Sequence, residues 1–445
     1  MLVSTHYKKL RIVFFLLFLI GISQVSSAQV WTLEQCIDSA QVYNKNLQIQ
    51  RNNIEIGNQK QEEVRGNLLP KVTTNADYKY FTNLPYQFMP MSLFGGPEGK
   101  YKEVQFGVPH NINANLQFTL PLYNPQIKGT IQSTKIATDL SKLQLKKSEE
   151  QIYFEISNLY YNAQILNHQI LFIDSNLINT NRLLRTMQLL KEQLMAKGTD
   201  VNKVSLQSDQ LNTQKAIIES KLEQVMQALK FSMGISPDRQ LEISNDIRYQ
   251  TNGSYTTIPS LDFQIAVTQN RLLNNELTTL KKSSLPTIAL FGTYGVNGFG
   301  YDKKPDNFLK FHPIGFAGVQ LTYTLFDGNI LRKKQVQKKI EIQNNELQQS
   351  LVTEQNTMQI GNALNQRNTA QKSISFTERQ IKQAQSIYEQ TIMQQKEGVA
   401  SLNDVLVADN SLREVQQSNI SAVVDYLKAD LELKKLTGNL SRAGR

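Results

Sequence analysis

The chain has 445 residues, of which 40% are hydrophobic and 19% are charged, and its formal net charge is +10. The lysines and arginines are scattered along helical patterns between acids and amides. This distribution is typical of solvated helix faces and speaks against a nucleic-acid partner. The single cysteine, Cys36, excludes an intrachain disulfide, and its place inside a helical pattern predicts a buried thiol.

The first 28 residues have the pattern of a secretory signal peptide. Lys8, Lys9 and Arg11 precede an apolar run over residues 12–22, and small residues up to Ala28 follow it. The run is too short to serve as a membrane anchor across about 30 Å of hydrocarbon. We therefore expect an exported protein that is cleaved after Ala28.

The remaining chain reads as two repeats. Residues 46–70 align without a gap on residues 262–286, and both stretches are helical patterns that end in Leu-Pro. In each half, two strands, a long helix and a return helix follow. The sequence therefore predicts one protomer over 29–445, made of a first repeat (29–234), a connecting segment (235–260), a second repeat (261–438) and a tail (439–445).

Four strands are predicted by period-two alternation of apolar and polar residues. The first strand of each repeat begins at Lys71 and at Thr287, and the second strands cover 112–120 and 316–325. The strand over 112–120 has an apolar face with Ile112, Leu116 and Phe118. Its polar face has Asn113, Asn115, Gln117 and Thr119. The other has Ala317, Val319, Leu321, Tyr323 and Leu325 on one face.

Each repeat continues into a long helical pattern, from about 126 to 197 and from about 329 to 397. At 1.5 Å per residue, such a helix is roughly 100 Å long. Both patterns stop at a glycine, Gly198 or Gly398, and a return helix follows at once. Asp200 and Ser401 are the predicted N-caps of the return helices, because their side chains can accept hydrogen bonds from the first-turn amides. We expect long antiparallel hairpins with these glycines at the tips.

The strands have the length that crosses a bilayer when tilted, about nine to eleven residues. Spanning strands must close into a barrel, because lipid offers no partner to an open sheet edge. Four strands are too few, since the smallest such barrels have about eight. Two copies would supply eight strands and three would supply twelve, and periodicity alone leaves both open. Aromatic residues near the strand ends favour a membrane location: Tyr78, Tyr80, Phe81, Tyr123, Tyr294, Tyr323 and Phe326.

Other readings of the same pattern remain. A soluble half-buried sheet would alternate in the same way, so the main alternative is a soluble periplasmic coiled-coil scaffold or adaptor. An envelope hydrolase is a weaker alternative, because no nucleophile has a recognisable context. His110, His168 and His312 are too dispersed for a zinc site, and the glycines of residues 295–300 do not open a helix. We expect no catalytic residue, metal or cofactor.

Several motifs, in this order and spacing, resemble the TolC-like outer-membrane efflux protein family over nearly all of residues 29–438. They are WTLEQCIDSA near the start, Leu-Pro before each first strand, FTLPLYNP and YTLFDGN before the long helices, and KGTDVNKV and EGVASLNDVL at the tips. The resemblance implies a mainly α fold with membrane β-strands. In it, three protomers complete one twelve-stranded β-barrel in the outer membrane, and the helical hairpins form a periplasmic tunnel.

The family likeness also implies a function. A homotrimer in outer-membrane lipid would act with a periplasmic adaptor and an inner-membrane efflux pump or ABC exporter, in tripartite efflux or type I secretion. The channel itself would conduct passively. The polar residues Asn113, Asn115, Gln117 and Thr119 would then face the barrel lumen.

Site residues follow from the same likeness. Asp404 matches the first of two aspartates that ring the periplasmic constriction in relatives, and Val407 stands at the second position. The alternative is that Asp404 only favours the helix dipole in the first turn after Ser401. The hairpin tips would dock the adaptor: Gly198, Thr199, Asp200, Val201, Gly398, Val399, Ala400 and Ser401.

Overall fold

The structure is a computed structural model that describes residues 30–247, 255–301 and 310–440. The predicted signal peptide lies outside the described residues. The chain divides into two compact units, each built from separate stretches of sequence. The first unit comprises residues 1–51, 144–263 and 352–445, and the second comprises residues 52–143 and 264–351.

Helices dominate the described residues. They are α1 (Leu33–Tyr43), α2 (Lys45–Gly66), α3 (Pro125–Glu192), α4 (Gly198–Met233), α5 (Leu261–Lys282), α6 (Ile330–Lys396) and α7 (Leu402–Leu436), with a 3-10 helix at Met91–Phe94. The strands are β1 (Val30–Trp31), β2 (Lys71–Tyr80), β3 (Tyr86–Pro90), β4 (Tyr101–Gln105), β5 (His110–Tyr123), β6 (Glu242–Ile243), β7 (Thr287–Gly300) and β8 (Lys310–Thr322). The two long helices predicted from the sequence are present as α3 and α6, with 68 and 67 residues.

In the second unit, β2, β5, β7 and β8 form one four-stranded sheet in that order. All three pairings are antiparallel. The register is continuous enough to define rows across the sheet: Asn75 of β2 stands opposite Asn115 of β5, which stands opposite Gly295 of β7. β2 and β8 are the edge strands, each paired on one side within this sheet.

The last strand begins and ends earlier than predicted, at Lys310 instead of residue 316 and at Thr322 instead of residue 325. β8 ends at Thr322, so Tyr323 and Leu325 lie in the turn that leads to α6 and not on a strand face. The strand ends there because the residues before α6 form a turn that caps the helix. Gly328 has a φ of 68°, and the Asp327 carboxylate accepts a hydrogen bond of 2.8 Å from the Leu331 amide.

The helices of the second unit contact one another in the same order as their strands. α2 meets α3 where Gly57 faces Thr138, so closely that an added Cβ would lie 2.7 Å from the threonine Oγ1. α3 meets α5 at Gly129, whose carbonyl oxygen accepts a hydrogen bond of 2.9 Å from the Asn275 side chain. The small residues allow these helix axes to approach, because nothing but hydrogen projects from them.

α6 is the last member of this layer. Lys338 of α6 forms an ion pair of 2.9 Å with Glu276 of α5. The contacts therefore run α2–α3–α5–α6, and α2 and α6 lie at opposite edges of the helical layer, as β2 and β8 do in the sheet. At 100° per residue, the side of α6 opposite Lys338 carries an apolar stripe, called the α6 stripe below. It consists of Val336, Ile340, Leu347 and Leu351, which are between 45% and 70% exposed.

The loop between β2 and β5 contains a short antiparallel hairpin. β3 pairs with β4, Tyr86 standing opposite Gln105 and Pro90 opposite Tyr101. Tyr86, Phe88 and Tyr101 share one face of this hairpin by their register, and all three are exposed.

A buried cluster in the first unit joins both ends of the first repeat. Cys36, Leu47, Ile156, Leu229 and Met233 are fully excluded from solvent within it. The predicted core thiol is confirmed as free and buried. Burial raises the Cys36 pKa from 9.0 to about 12, because the apolar surroundings disfavour the thiolate.

A glycine permits the close packing at the end of this cluster. Gly234 ends α4 with a φ of 74°, and an added Cβ would lie 2.3 Å from the Tyr43 carbonyl oxygen. The Asn44 side chain donates a hydrogen bond of 2.7 Å to the Ser232 carbonyl. Gly234 therefore ends α4 in the left-handed conformation that is common after the last helical residue.

A polar cluster fastens the connecting segment to α6 and α7. The Tyr255 hydroxyl donates to both carboxylate oxygens of Asp430 at 2.8 Å, and Arg367 and Lys434 form ion pairs with the same carboxylate at 3.2 and 3.0 Å. Burial is the largest cause of the raised pKa of Tyr255, and its hydrogen bond to Asp430 adds to it. The four side chains hold the end of the connecting segment against the helices of the second repeat.

Candidate functional site

The four-stranded sheet has one polar face. The row through Asn113 contains Asp77, Asn297 and His312 from the other three strands. Asn115 donates a hydrogen bond of 2.9 Å to Asn113 along the strand. The four residues predicted to face a lumen all lie on this face by register. Its members are Lys71, Thr73, Asn75, Asp77 and Lys79 of β2, Asn111, Asn113, Asn115, Gln117 and Thr119 of β5, Thr287, Ala289, Phe291, Thr293, Gly295, Asn297 and Phe299 of β7, and Lys310, His312, Ile314, Phe316, Gly318, Gln320 and Thr322 of β8.

The opposite face is apolar. It includes Ile112, Leu116 and Phe118 as predicted, and Ala317, Val319 and Leu321 of β8. No charged carboxylate, lysine or arginine stands on it within the described strands. Its one histidine, His110, is buried and its Nδ1 lies 2.8 Å from the Tyr78 hydroxyl. A sheet with one face of each kind separates water from an apolar medium.

Aromatic side chains stand at both ends of the sheet, with one correction. Tyr80, Phe81, Phe299 and Phe311 lie at the end remote from the helices, and Tyr123, Tyr323 and Phe326 at the end from which the helices leave. Tyr294, predicted near a strand end, lies in the middle of β7. Its ring covers Gly315, where an added Cβ would stand 3.0 Å from it.

The α3–α4 tip differs from its prediction. α3 ends at Glu192, six residues before Gly198, and Gly198 begins α4 instead of ending α3. The left-handed residue of this turn is Leu194, with a φ of 62°. Lys197 occupies the N-cap position without a side-chain hydrogen bond. Asp200 is therefore not the N-cap; it lies in the first turn, where an acid favours the helix dipole.

The other residues of the α3–α4 tip form a small apolar core with the helices. Val201 and Val204 of α4 are buried against Met187 of α3. Thr199 lies beside them in the first turn of α4. Leu194 itself is 94% exposed. The tip thus exposes two neighbouring hydrophobic side chains, Leu194 and Met195, while the packing of the valines on Met187 holds the turn.

The α6–α7 tip follows its prediction. α6 ends at Lys396, and Gly398 has a φ of 78° that only glycine adopts without strain. Val399 and Ala400 close the turn by donating backbone hydrogen bonds to the Gln394 carbonyl at 2.9 and 3.2 Å. Ser401 is the N-cap of α7, as predicted.

Asp404 completes a capping box with Ser401. The Ser401 hydroxyl accepts from the Asp404 amide at 3.3 Å, and the Asp404 carboxylate accepts from the Ser401 amide at 2.8 Å and from its hydroxyl at 2.7 Å. These hydrogen bonds, the side-chain one first, lower the pKa of Asp404 below its usual 3.8. Within one chain, Asp404 therefore has the capping role that was the alternative reading of its sequence position.

Asp404 and Val407 also line a shallow groove between α6 and α7, with a volume of about 300 Å³. Val407 is 57% exposed. Ala384, Ile387 and Thr391 of α6 form the opposite wall. The two predicted constriction residues are thus brought together on one surface, next to the tip.

Sequence reasoning missed two features near these sites. The alternation in KVTTNADYKY places Lys71, Asp77 and Lys79 on the polar face, and the same period-two signal could have found them. The buried ion pair of Arg413 with Asp409 in α7 gave no such signal, because i, i+4 charge pairs are common on solvated helices. Burial lowers the Arg413 pKa to about 10.

The described residues contain neither a metal-binding cluster nor a membrane-spanning helix. No group of three or more histidine, cysteine, aspartate or glutamate side chains could hold a metal ion. Over the same residues, none of the helices is both long and apolar enough to cross a bilayer.

The chain is similar to known outer-membrane proteins in sequence and in fold. Residues 259–439 match the model of a family described as outer membrane efflux protein. Among solved structures, the outer membrane protein VceC of Vibrio cholerae is 15% identical, with a TM-score of 0.72 over 92% of this chain and 97% of that one. The CmeC outer membrane channel of Campylobacter jejuni is 14% identical, with a TM-score of 0.72 over 93% and 87%. A comparison with curated proteins finds no match.

A third solved structure agrees. The MtrE outer membrane channel of Neisseria gonorrhoeae is 16% identical, with a TM-score of 0.72 over 92% of this chain and 90% of that one. The chain thus has the fold of outer-membrane channel proteins, which are not enzymes. The resemblance to the TolC-like outer-membrane efflux protein family is confirmed, by the family model over the second repeat and by the fold over nearly the whole chain.

Proposed function

We propose that three copies of this chain form an outer-membrane channel, the exit duct of a tripartite efflux or type I secretion system. The observation that carries the proposal is the open sheet of the second unit, with its polar and apolar faces. Three such sheets supply twelve strands, an even number within the range of known outer-membrane barrels. The apolar face would meet lipid, and the face with Asn113, Asn115, Gln117 and Thr119 would line the water-filled lumen.

Both edges of the second unit support closure by further copies. The free edges of β2 and β8 expose backbone groups that lipid cannot satisfy. The apolar stripe of α6 and the exposed Ile56 of α2 lie at the matching edges of the helical layer. A contact in which β8 and α6 of one copy meet β2 and α2 of the next is heterologous, and such contacts form a ring when the rotation between successive copies closes. Trimeric closure is favoured over dimeric closure by the family likeness.

The strands also have the dimensions of a membrane crossing. β5 and β7 contain 14 residues each, more than the nine to eleven that a tilted strand needs. The aromatic residues at the two ends of the sheet would stand in the two interfacial regions. The outer membrane is therefore the proposed location, with most of the chain projecting into the periplasm.

The experiment is to purify the mature protein and to measure both its location and its conductance. We expect it to fractionate with outer membranes, to require detergent, and to open single channels in planar bilayers as an oligomer. A monodisperse monomer in the soluble periplasmic fraction would contradict the channel and favour the scaffold. Because conduction is proposed to be passive, we expect the current to rise linearly with the applied voltage without added nucleotide.

The two tips are the proposed docking surface for a periplasmic adaptor, which would link the channel to an inner-membrane efflux pump or ABC exporter. The support is the exposure of Val399 and Leu194 at the ends of long helical hairpins. Substitution of Ala400 and Thr199 by tryptophan is expected to abolish adaptor crosslinking and efflux while the purified channel still conducts. Intact crosslinking and efflux in both variants would reject docking at the tips.

The groove residues Asp404 and Val407 are the proposed periplasmic constriction. Three Asp404 carboxylates around one axis would attract cations, and their mutual repulsion would oppose the lowering of their pKa by the cap. The Asp404→Ala variant is expected to lose block by multivalent cations applied from the periplasmic side. Unchanged block would leave Asp404 with its capping role alone.

A further inference from the structure

We propose that the barrel lumen of this protein favours anionic solutes, through lysines on the polar face of the sheet. The inference rests on the proposed channel, because it assigns that face to the lumen. Within the described strands β2, β5, β7 and β8, every lysine and every carboxylate stands on the polar face. The lysines are Lys71, Lys79 and Lys310, and the acid is Asp77.

The charges do not cancel. Three lysines against one aspartate leave a net charge of +2 on each sheet with His312 neutral. Asp77 forms an ion pair of 3.3 Å with Lys79, so it compensates the nearest lysine only. The rows of Lys71 and of Lys310 contain no acidic side chain in the sheet. Three copies would give the lumen a fixed charge of +6.

Two of the lysines lie on the same row. Lys79 of β2, Asn111 of β5, Phe299 of β7 and Lys310 of β8 are successive register partners across the sheet. This row is at the end of the sheet remote from the helices. Lys79 and Lys310 stand on the two edge strands, so a closed trimer carries six lysines around its outer mouth, with exposed side chains.

Between the lysine rows the polar face has one charged side chain, Asp77, which is paired with Lys79, and the rows between Asp77 and Lys71 are neutral. Asn75, Asn115, Gln117 and Thr293 offer amides and hydroxyls, which bind cations and anions alike. Lys71 and Lys79 are separated by eight residues, roughly 26 Å along a strand. Because the Debye length is about 8 Å at physiological ionic strength, the two lysine rows act as separate sites, one at each end of the neutral stretch. The solutes favoured are chloride and organic anions such as carboxylates and phosphate esters.

The test is the chloride-to-potassium permeability ratio of the reconstituted full-length oligomer, from reversal potentials in a KCl gradient. Asp404→Asn serves as the background, so that the carboxylate of the proposed constriction does not contribute. We expect a ratio above one. We expect the Lys79→Gln/Lys310→Gln variant to lower it by about twofold or more, since each lysine acts within a Debye length of a passing ion.

Lys79→Arg/Lys310→Arg is the matched control, because it keeps both charges on the same strands and is expected to keep the ratio. A second readout needs no variant: raising KCl from 0.1 to 1 M shortens the Debye length from about 10 to 3 Å and should bring the ratio toward one. A cation-selective channel, or a ratio that neither the glutamines nor salt changes, overturns the anion preference and leaves the channel standing. Absence of any conductance overturns both.

Discussion

At the residue scale, the capping box of α7 lies within a single chain, so its effect on the helix can be predicted without reference to an oligomer. Ser401→Ala removes the hydroxyl that accepts from the Asp404 amide, and such a change costs about 1 kcal/mol of helix stability. We expect faster hydrogen exchange of the backbone amides in the first turn of α7. Ser411→Ala, on the same helix but outside the cap, is the control and is expected to leave that exchange unchanged.

The same cap predicts a pH dependence. Because the hydrogen bonds from Ser401 lower the pKa of Asp404, the folded carboxylate stays ionised to lower pH than an unfolded one. Its contribution is complete above the ordinary value of 3.8 and is lost as the pH falls through the lowered value. Exchange protection at the start of α7, corrected for intrinsic rates, should therefore be constant from neutral pH down to about pH 5. Loss of protection between pH 7 and 5 would mean that the Asp404 pKa is raised, as in a crowded ring of carboxylates.

A second residue-scale prediction concerns Cys36. The thiolate is the reactive form, and burial raises the thiol pKa to about 12. At pH 8 the native protein is therefore expected to resist maleimide, whereas protein unfolded in guanidinium should be labelled fully within minutes. Rapid labelling of the native oligomer would contradict the burial of Cys36 in the core of the first unit. A cysteine introduced at the exposed Ser411 provides the positive control.

At the element scale, the contact between α3 and α5 depends on a missing side chain. An added Cβ at Gly129 would lie 2.1 Å from the Thr279 Oγ1 and 2.8 Å from its Cβ, so the two helices must separate. We expect Gly129→Ala to lower the thermal unfolding midpoint of the oligomer in detergent. Gly361→Ala is the matched control: it is also a mid-helix glycine, and nothing lies within 4 Å of its added Cβ. That control is expected to stabilise by roughly 0.5–1 kcal/mol, because alanine is the better helix former. Equal effects of both substitutions would show that the α3–α5 contact is not close.

Strand faces and helix ends could be predicted from the sequence where neighbouring residues alone determine them. Period two in β5 fixed which of its residues share a face, and Gly398 and Ser401 marked the turn and the cap of the α6–α7 tip. The α3–α4 tip failed because Leu194, a residue without any preference for positive φ, occupies the left-handed position there. Packing of Met187 against Val201 and Val204 overrides the local rule at that turn.

The order of the strands in the sheet could not be predicted from the sequence pattern. β5 pairs with β7, and the residues that meet, such as Asn113 and Asn297, are far apart in the chain. Nothing in the local alternation of either strand selects its neighbour. For the same reason, only the structure shows that Lys79 and Lys310 share a row. It likewise shows the contact of Tyr255 with Asp430.

At the scale of the whole molecule, the two open edges of the second unit predict how copies associate. Ile340 and Leu347 of α6 are 50% and 70% exposed, on the side of the helix turned away from α5. Burying such side chains against a neighbouring copy contributes about 1.5–3 kcal/mol each, and a charge placed there would have to be desolvated. We expect Ile340→Glu/Leu347→Glu to convert the proposed trimer into monomers in detergent, measured by light scattering after size exclusion.

Gln348→Glu tests whether charge alone has this effect. It adds a carboxylate to the same exposed stretch of α6, but Gln348 lies about 80° around the helix from Lys338, which pairs with Glu276 of α5, and about 100° from Leu347 of the apolar stripe. This control is expected to remain trimeric and to conduct. If the Ile340→Glu/Leu347→Glu protein also remained trimeric, the α6 stripe would not be the contact between copies. Closure would then depend on the pairing of β2 with β8 alone, since that edge pairing is made by backbone groups and is indifferent to side chains on α6.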